Sequence, residues 1–204
     1  MKTKLSFGII LATLFLFLGC EKEEPHNLNL TGEGEIATLP IELDPFTDIN
    51  LRGVADLNVT VGGEQSVTLK AQQNIIDVMN WEVQSGTLII SMDDDVTLQK
   101  HEGILFEITV DELFSLLHSG VGDMNLQGED RNSFEIDHQG VGDIQAYGLT
   151  VDHCAVFSSG VGNCYVYVIE TLEVDISGVG NVYYRGQPDI TSMVSGVGNL
   201  IDDN

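Results

Sequence analysis

One phrase, Gly-Val-Gly followed by Asp or Asn, occurs five times between residues 120 and 199. The copies are Gly120-Val121-Gly122-Asp123, Gly140-Val141-Gly142-Asp143, Gly160-Val161-Gly162-Asn163, Gly178-Val179-Gly180-Asn181 and Gly196-Val197-Gly198-Asn199. Self-similarity at a short, nearly fixed period marks a chain that winds into stacked units, each unable to bury its apolar face alone. Few other architectures accommodate such a pattern.

The residues around each copy supply a register. Two before the first Gly come His118, His138, Ser158, Ile176 and Val194; four before come Leu116, Ile136, Val156, Val174 and Ser192; six before come Phe114, Phe134, Cys154, Leu172 and Ile190. Directly after the Asp or Asn come Met124, Ile144, Cys164, Val182 and Leu200. The alternate positions hold Glu135, Asp137, Glu173 and Asp175 before the turn, and Asn125, Gln145, Tyr165 and Tyr183 after it. Period-2 alternation on both sides of a Gly-rich corner predicts two main strands per coil, with the apolar columns inward. At about 3.3 Å per residue, 16–20 residues wrap one flattened coil, and coils stack about 4.8 Å apart as parallel strands. The expected fold is all-β, a parallel β-solenoid. Glycine supplies the corner's backbone angles, and Val is expected to plug the end of the core. Asp123, Asp143, Asn163, Asn181 and Asn199 are expected to bond the turn backbone and stack as a ladder, the later amides bonding one another.

Apolar alternation begins earlier, in Ile49, Leu51, Leu57, Val59 and Val61, and encloses Gly53-Val54-Ala55-Asp56, a worn sixth copy of the turn. Residues 62–111 differ in texture and read as a strand-rich insertion widening the first coils, ahead of the regular array at 113–201. Within it Ser85-Gly86 marks a hairpin, Ile104 to Val110 a strand, and Asp93-Asp94-Asp95 to Gly103 an exposed loop. Residues 36–204 thus form one domain.

The first 19 residues read as an export signal: Lys2 and Lys4, then an apolar run from Phe7 to Leu18 too short to span a bilayer. Leu16-Phe17-Leu18-Gly19-Cys20 resembles a bacterial lipobox, which makes Cys20 the acylated, palmitate-bearing mature N-terminus. The alternative is an ordinary cleaved signal with a chance Cys. Residues 20–35 read as an acidic tether, and Glu21-Lys22-Glu23-Glu24 resembles the tag that sends lipoproteins of some Gram-negative bacteria to the outer face of the outer membrane. The chain carries 8 Lys and Arg against 32 Asp and Glu, a net charge of −24, and loss of Lys2 and Lys4 takes it to −26. Such a surface repels nucleic acid and anionic headgroups, leaving the lipid anchor as the membrane partner. Cys154 and Cys164 are ten residues apart, which is no disulfide framework.

Several constellations bear on chemistry. Glu135 and Asp137 share an outward face about 7 Å apart, within the range of glycosidase carboxylate pairs, but a solvated acidic face explains them. His118 and His138 occupy adjacent inward positions and are read as a hydrogen-bonded polar layer with Ser158, not a metal site. Asp123 and Asp143 beside each other could hold Ca²⁺, although a good site wants about six or more oxygens, and a turn-capping ladder is the reading preferred. Tyr147, Tyr165, Tyr167 and Tyr183 project from one sheet, where grouped aromatics either stack on sugars or protein, or merely stiffen the sheet. No catalytic triad, phosphate loop or zinc-ligand spacing occurs in the sequence.

The lipoprotein signal, the early Gly-Val-x-Asp turn, the insertion with Ser85-Gly86-Thr87-Leu88, the lead-in Leu113 to Ser119 and the repeated Ser-Gly-Val-Gly turns together resemble the head GIN domain of auto-transporter adhesins, over roughly residues 36–201. Gln139 replaces the Ser before Gly140. The resemblance implies a right-handed β-helix, pectin-lyase-like in shape but without catalytic residues or a cofactor, and a role in adhesion to a glycan or a host or matrix protein. It supplies no ligand residues. The reading is therefore a non-catalytic surface lipoprotein, possible as a homo-oligomer, against a carbohydrate-active enzyme or a structural protein of the cell envelope.

Overall fold

A computed structural model describes residues 28–204, so the export signal, Cys20 and the charged run after it lie outside the described residues. The strands are β1 (Leu28–Thr31), β2 (Ile36–Ile41), β3 (Asp48–Leu51), β4 (Asp56–Val61), β5 (Ser66–Gln72), β6 (Met79–Gln84), β7 (Thr87–Met92), β8 (Val96–Lys100) and β9 (Leu105–Val110). They continue as β10 (Ser115–His118), β11 (Met124–Gly128), β12 (Arg131–His138), β13 (Ile144–Ser158), β14 (Cys164–Ile176), β15 (Val182–Arg185), β16 (Asp189–Val194) and β17 (Leu200–Asp202). A single turn of helix, α1 (Gln73–Ile76), is the only one among the described residues.

The fold is all-β. A parallel ladder runs on each side of the Gly-Val-Gly turns. Before the turn, Ile49, Leu116, Ile136, Val156, Val174 and Ser192 are successive partners. After it, Leu57, Met124, Ile144, Cys164, Val182 and Leu200 are. The worn copy is a true rung, since Val54 bridges Val121 as Val121 bridges Val141. Apolar columns from both ladders meet in one core.

The sheet is mixed, not parallel throughout. β5 runs antiparallel to both β2 and β9, and β6 antiparallel to β7. For β6 and β7 the reason is connection length: parallel neighbours need a crossover of a dozen or more residues, whereas two residues join this pair. Those two, Ser85 at φ 52° and Gly86 at φ 83°, take the positive angles of a primed hairpin turn. The insertion is thus folded back on itself, and α1 buries Ile75 and Ile76 against the core.

Several local expectations are corrected. Part of the stretch read as a tether is β1, which pairs in parallel with β8, itself inside the stretch read as a loop. In the regular array no step is as short as 16 residues: paired rungs are offset by 20, as in Ile144 and Cys164, or by 18, as in Cys164 and Val182, while the insertion sets the worn first copy 67 residues before its partner. The two residues lost between them come out at the far bend, where the register shifts between Ala146 and Thr150 and again before His153. β13 and β14 pass through that bend without a break, so those coils have one bent strand where two were expected. Phe114 precedes β10 and is half-exposed, and Leu113 takes the buried place. β16, the last rung before the turn, is exposed along its length, including Ile190 and Val194 of the inward columns.

The corner also differs from expectation. Val121, Val141, Val161 and Val179 do not plug the core; each is about half exposed, and Val197 is 71% exposed. The inward place at the corner belongs to the first Gly, which packs so tightly on the rung before it that a Cβ on Gly140 would lie 2.2 Å from the Gly120 carbonyl oxygen. Alternation then sends Val outward, where its backbone joins the rungs: Val141 N–H donates to Gly120 and its carbonyl accepts from Gly122. Only the second Gly needs a left-handed angle, as at Gly142 (φ 138°). The first is glycine for room, not for rotation.

Candidate functional site

The outward face of the ladder after the turn gathers the distinctive side chains. Register places Tyr165 beside Gln145 and Tyr183 beside Tyr165, because each follows the turn by the same number of residues. The rings of Tyr165 and Tyr183 stack with centroids 4.8 Å apart and 6° between planes, and Tyr147 meets Tyr165 edge-on at 5.5 Å. The Arg185 guanidinium lies 4.0 Å from the centre of the Tyr147 ring, and Tyr147 Oη donates to Asp203 Oδ2 at 2.9 Å. Burial, then that hydrogen bond and the Asp203 charge, hold the Tyr147 phenol well above its usual pKa, with Arg185 opposing. Tyr167 stands on the same face, beside Arg185 and 36% exposed. The four tyrosines are thus together, but much of their ring surface already packs on neighbours.

Beside them lies a feature that sequence reading did not single out. Strands β5, β9, β4, β11 and β13 curl into a groove of about 720 Å³. Its polar lining is a set of outward side chains: Ser66 and Thr68, Glu107 and Thr109, Asn58 and Thr60, Asn125 and Gln127, then Gln145 and Tyr147. Asn125 Nδ2 donates to Asn58 Oδ1 at 3.3 Å, and Gln127 Nε2 to Thr60 Oγ1 at 3.4 Å, both long for hydrogen bonds. Glu107 at the rim pairs with Lys70 at 2.7 Å. The signal for the polar row was present in the columns headed by Asn58 and Asn125. The groove needed the antiparallel strand β5, whose position the repeat does not encode.

The turn ladder is continuous, but it bonds between rungs. Asp123 N–H donates to Asp56 Oδ1 at 2.8 Å, Asp143 N–H to Asp123 Oδ1 at 2.8 Å, and Asn163 N–H to Asp143 Oδ1 at 2.7 Å. Asn181 N–H then donates to Asn163 Oδ1 and Asn199 N–H to Asn181 Oδ1. Each side chain therefore caps the backbone of the following rung. The amides do not bond one another: the Asn163 amide donates to Asp143 Oδ1 at 3.3 Å and that of Asn181 to Tyr183 Oη at 3.1 Å. Asp143→Ala is expected to lower stability by about 1 to 2 kcal/mol, and Asp143→Asn, which keeps the acceptor, by much less. Urea unfolding midpoints of the two variants measure the difference.

The remaining candidates are placed as follows. His118 and His138 face inward, fully buried, with rings stacked at 5.0 Å and 14°. The expected hydrogen-bonded layer is absent, because none of their four ring nitrogens has a partner among the described residues. Burial lowers the pKa of both, and that of His118 to about 4. Glu135 and Asp137 share the other outward face, where Gln139 Nε2 donates to Asp137 Oδ2 at 2.7 Å. Ala155 and Phe157 separate them from Glu173 and Asp175. Cys154 and Cys164 are free and buried, and burial pushes both thiols up to about 12, which leaves them unreactive.

The comparisons with known proteins agree with this geometry. A crystal structure of a "putative adhesin" from Bacteroides fragilis is similar to the chain with a TM-score of 0.63 at 19% identity, covering 85% of this chain and 100% of that one. A "putative lipid binding protein" from Parabacteroides distasonis is similar at 19% identity and a TM-score of 0.49, covering 85% and 100%. At 19% identity the likeness to the Bacteroides fragilis structure is one of fold. No curated protein matches the chain. The model of the family described as "Putative auto-transporter adhesin, head GIN domain" matches twice, over residues 45–129 and 107–188, more than half of the chain. Those two matches overlap across the first regular rungs, and the chain belongs to that family of adhesin head domains.

Proposed function

We propose that this protein is a non-catalytic adhesin head, acylated at Cys20, held on the outer face of a Gram-negative outer membrane, and binding its ligand through the outward face that carries Tyr147, Tyr165, Tyr167 and Tyr183. In this reading the parallel ladders wind as a right-handed solenoid, residues 36–204 act as one domain, and residues 20–27 link it to the anchor. The observation that carries the proposal is the register itself. Amides, hydroxyls and aromatic rings stand side by side on one face of neighbouring rungs, while the other outward face carries Glu135, Asp137, Glu173 and Asp175 around Ala155 and Phe157. The first set suits recognition of a neutral or weakly polar surface, and the second keeps the domain soluble.

Glu135 and Asp137 belong to the solvated face and do no chemistry. The turn ladder from Asp123 to Asn199 is structural.

The double variant Tyr165→Ala, Tyr183→Ala tests the proposal. Losing one stacked pair is expected to cost about 1 kcal/mol, so the variant folds. Binding to a screen of glycans and matrix proteins is expected to fall at least about tenfold. Unchanged binding by the double variant removes the face from the proposal. Protease treatment of whole cells, which strips a displayed domain and spares a periplasmic one, tests the placement.

A further inference from the structure

We infer that the groove beside the tyrosines is a subsite for an uncharged polysaccharide, laid across the strands so that successive sugars meet successive rungs. This deepens the adhesin reading and rests on it. Asn58, Asn125 and Gln145 form one row through direct register pairs, and Tyr165 and Tyr183 continue it. Neighbouring strands are about 4.8 Å apart, close to the length of one pyranose in an extended chain. A polymer crossing the strands therefore meets an amide at each of three steps and an aromatic ring at the next two. Sugar hydroxyls need donors and acceptors together, which a carboxamide offers on one side chain. The apolar faces of the sugar ring need aromatic carbon.

The amides are available for this. The two bonds within the groove, at 3.3 and 3.4 Å, are long, and they leave most of the donor and acceptor positions of Asn58, Asn125, Gln127 and Gln145 open. The groove volume of about 720 Å³ lies within the range of small-ligand sites, enough for a short run of sugars.

Charge selects among glycans. No Lys or Arg lines the groove, and its single carboxylate, Glu107, is held by Lys70 at the rim. An anionic chain of uronates or sulfated sugars would approach a protein of net charge −24 whose nearby cations, Lys70 and Arg185, are already paired with Glu107 and Asp203. Tyr147, locked by Arg185 and Asp203, walls the groove on the tyrosine side. A neutral chain pays no such repulsion.

Calorimetric titration of the full chain in detergent with neutral hexasaccharides of gluco, manno, xylo and galacto configuration, and with uronate-containing counterparts, tests the inference. At least one neutral series is expected to bind, with affinity nearly constant between about 0.05 and about 0.5 M salt. Asn125→Leu and Gln145→Leu are each expected to weaken it about tenfold, with melting temperatures close to native because both side chains face outward. Binding confined to uronates, binding to no neutral series, or neutral binding untouched by both variants overturns the subsite. Attachment of whole cells separates this from the broader reading. If cells attach and the double tyrosine variant abolishes attachment while no neutral sugar binds, the adhesin face stands and the neutral subsite falls. If native and variant cells attach equally, both fall.

Discussion

Gly162→Ala is expected to leave little folded protein at room temperature. Two costs coincide at this residue: its φ of 146° is one that residues with a Cβ rarely adopt, and a Cβ there would lie 1.9 Å from the Gly142 carbonyl oxygen. Strain at such an angle costs about 1 to 3 kcal/mol. The steric cost comes on top, because the atom in the way is backbone and can move only by opening the rung hydrogen bonds that Gly142 and Val161 make. The sum approaches the whole stability of an ordinary domain, about 5 to 15 kcal/mol. Gly86→Ala is the control, since Gly86 also has positive φ, 83°, but meets nothing within 4 Å. It is expected to cost only about 1 to 2 kcal/mol. Far-UV circular dichroism and urea unfolding of both variants measure the two terms separately. Equal stabilities for them would show that crowding between rungs contributes nothing.

The buried histidine pair makes stability fall with acid. The His118 ring is held at about 4, below its ordinary 6.5, first by burial and then by repulsion from His138, with Asp123 pulling the other way. His138 is lowered too, again by burial, against Asp143 and Asp137. The unfolded chain protonates His118 near pH 6.5, while the folded chain resists until about pH 4, and His138 shifts in the same direction. Between those limits the unfolded state binds more protons, so stability is intact above pH 6.5 and declines as pH falls toward 4. For His118 the loss amounts to about 3 kcal/mol over the window. His118→Leu is expected to flatten this part of the curve. Leu fits, because Leu51 already occupies the same column one rung earlier, and it removes two ring nitrogens without partners. Urea midpoints at pH 7 and pH 4.5 for native and variant measure the effect. A native midpoint that does not move between the two pH values would contradict the buried, neutral state of the ring.

How far the candidate site was legible depends on which interaction placed each residue. Tyr165 and Tyr183 were read as neighbours because both sit at a fixed distance after a turn, and counting residues is enough once the rungs are in register. The groove was not readable in that way. Asn58 and Asn125 belong to the repeat, but Thr68 and Glu107 come from β5 and β9, and their approach depends on how the insertion folds back.

The valines show the same limit at one residue. The period put His118 inward and Asp123 in the turn ladder, yet Val121 was given to the core. Its exposure follows from a contact between rungs, because Gly120 is pressed against the Gly53 carbonyl and takes the inward place itself. The histidines repeat it. Their inward direction was plain from the period, but stacking of the rings at 5.0 Å, in place of a hydrogen bond, is set by neighbours in three dimensions.

By itself the sequence determined the all-β class, the rung, the inward and outward columns, the worn first copy at Gly53 and the family. Each follows from local periodicity and from the demand that like positions meet when rungs stack. Only the tertiary structure decided the mixed pairing around β5 and β6, the outward valines, the rung-to-rung bonding of the Asp and Asn ladder, and the groove. These arise where strands far apart in the chain approach, and the energies that select them are contacts between segments with no common period.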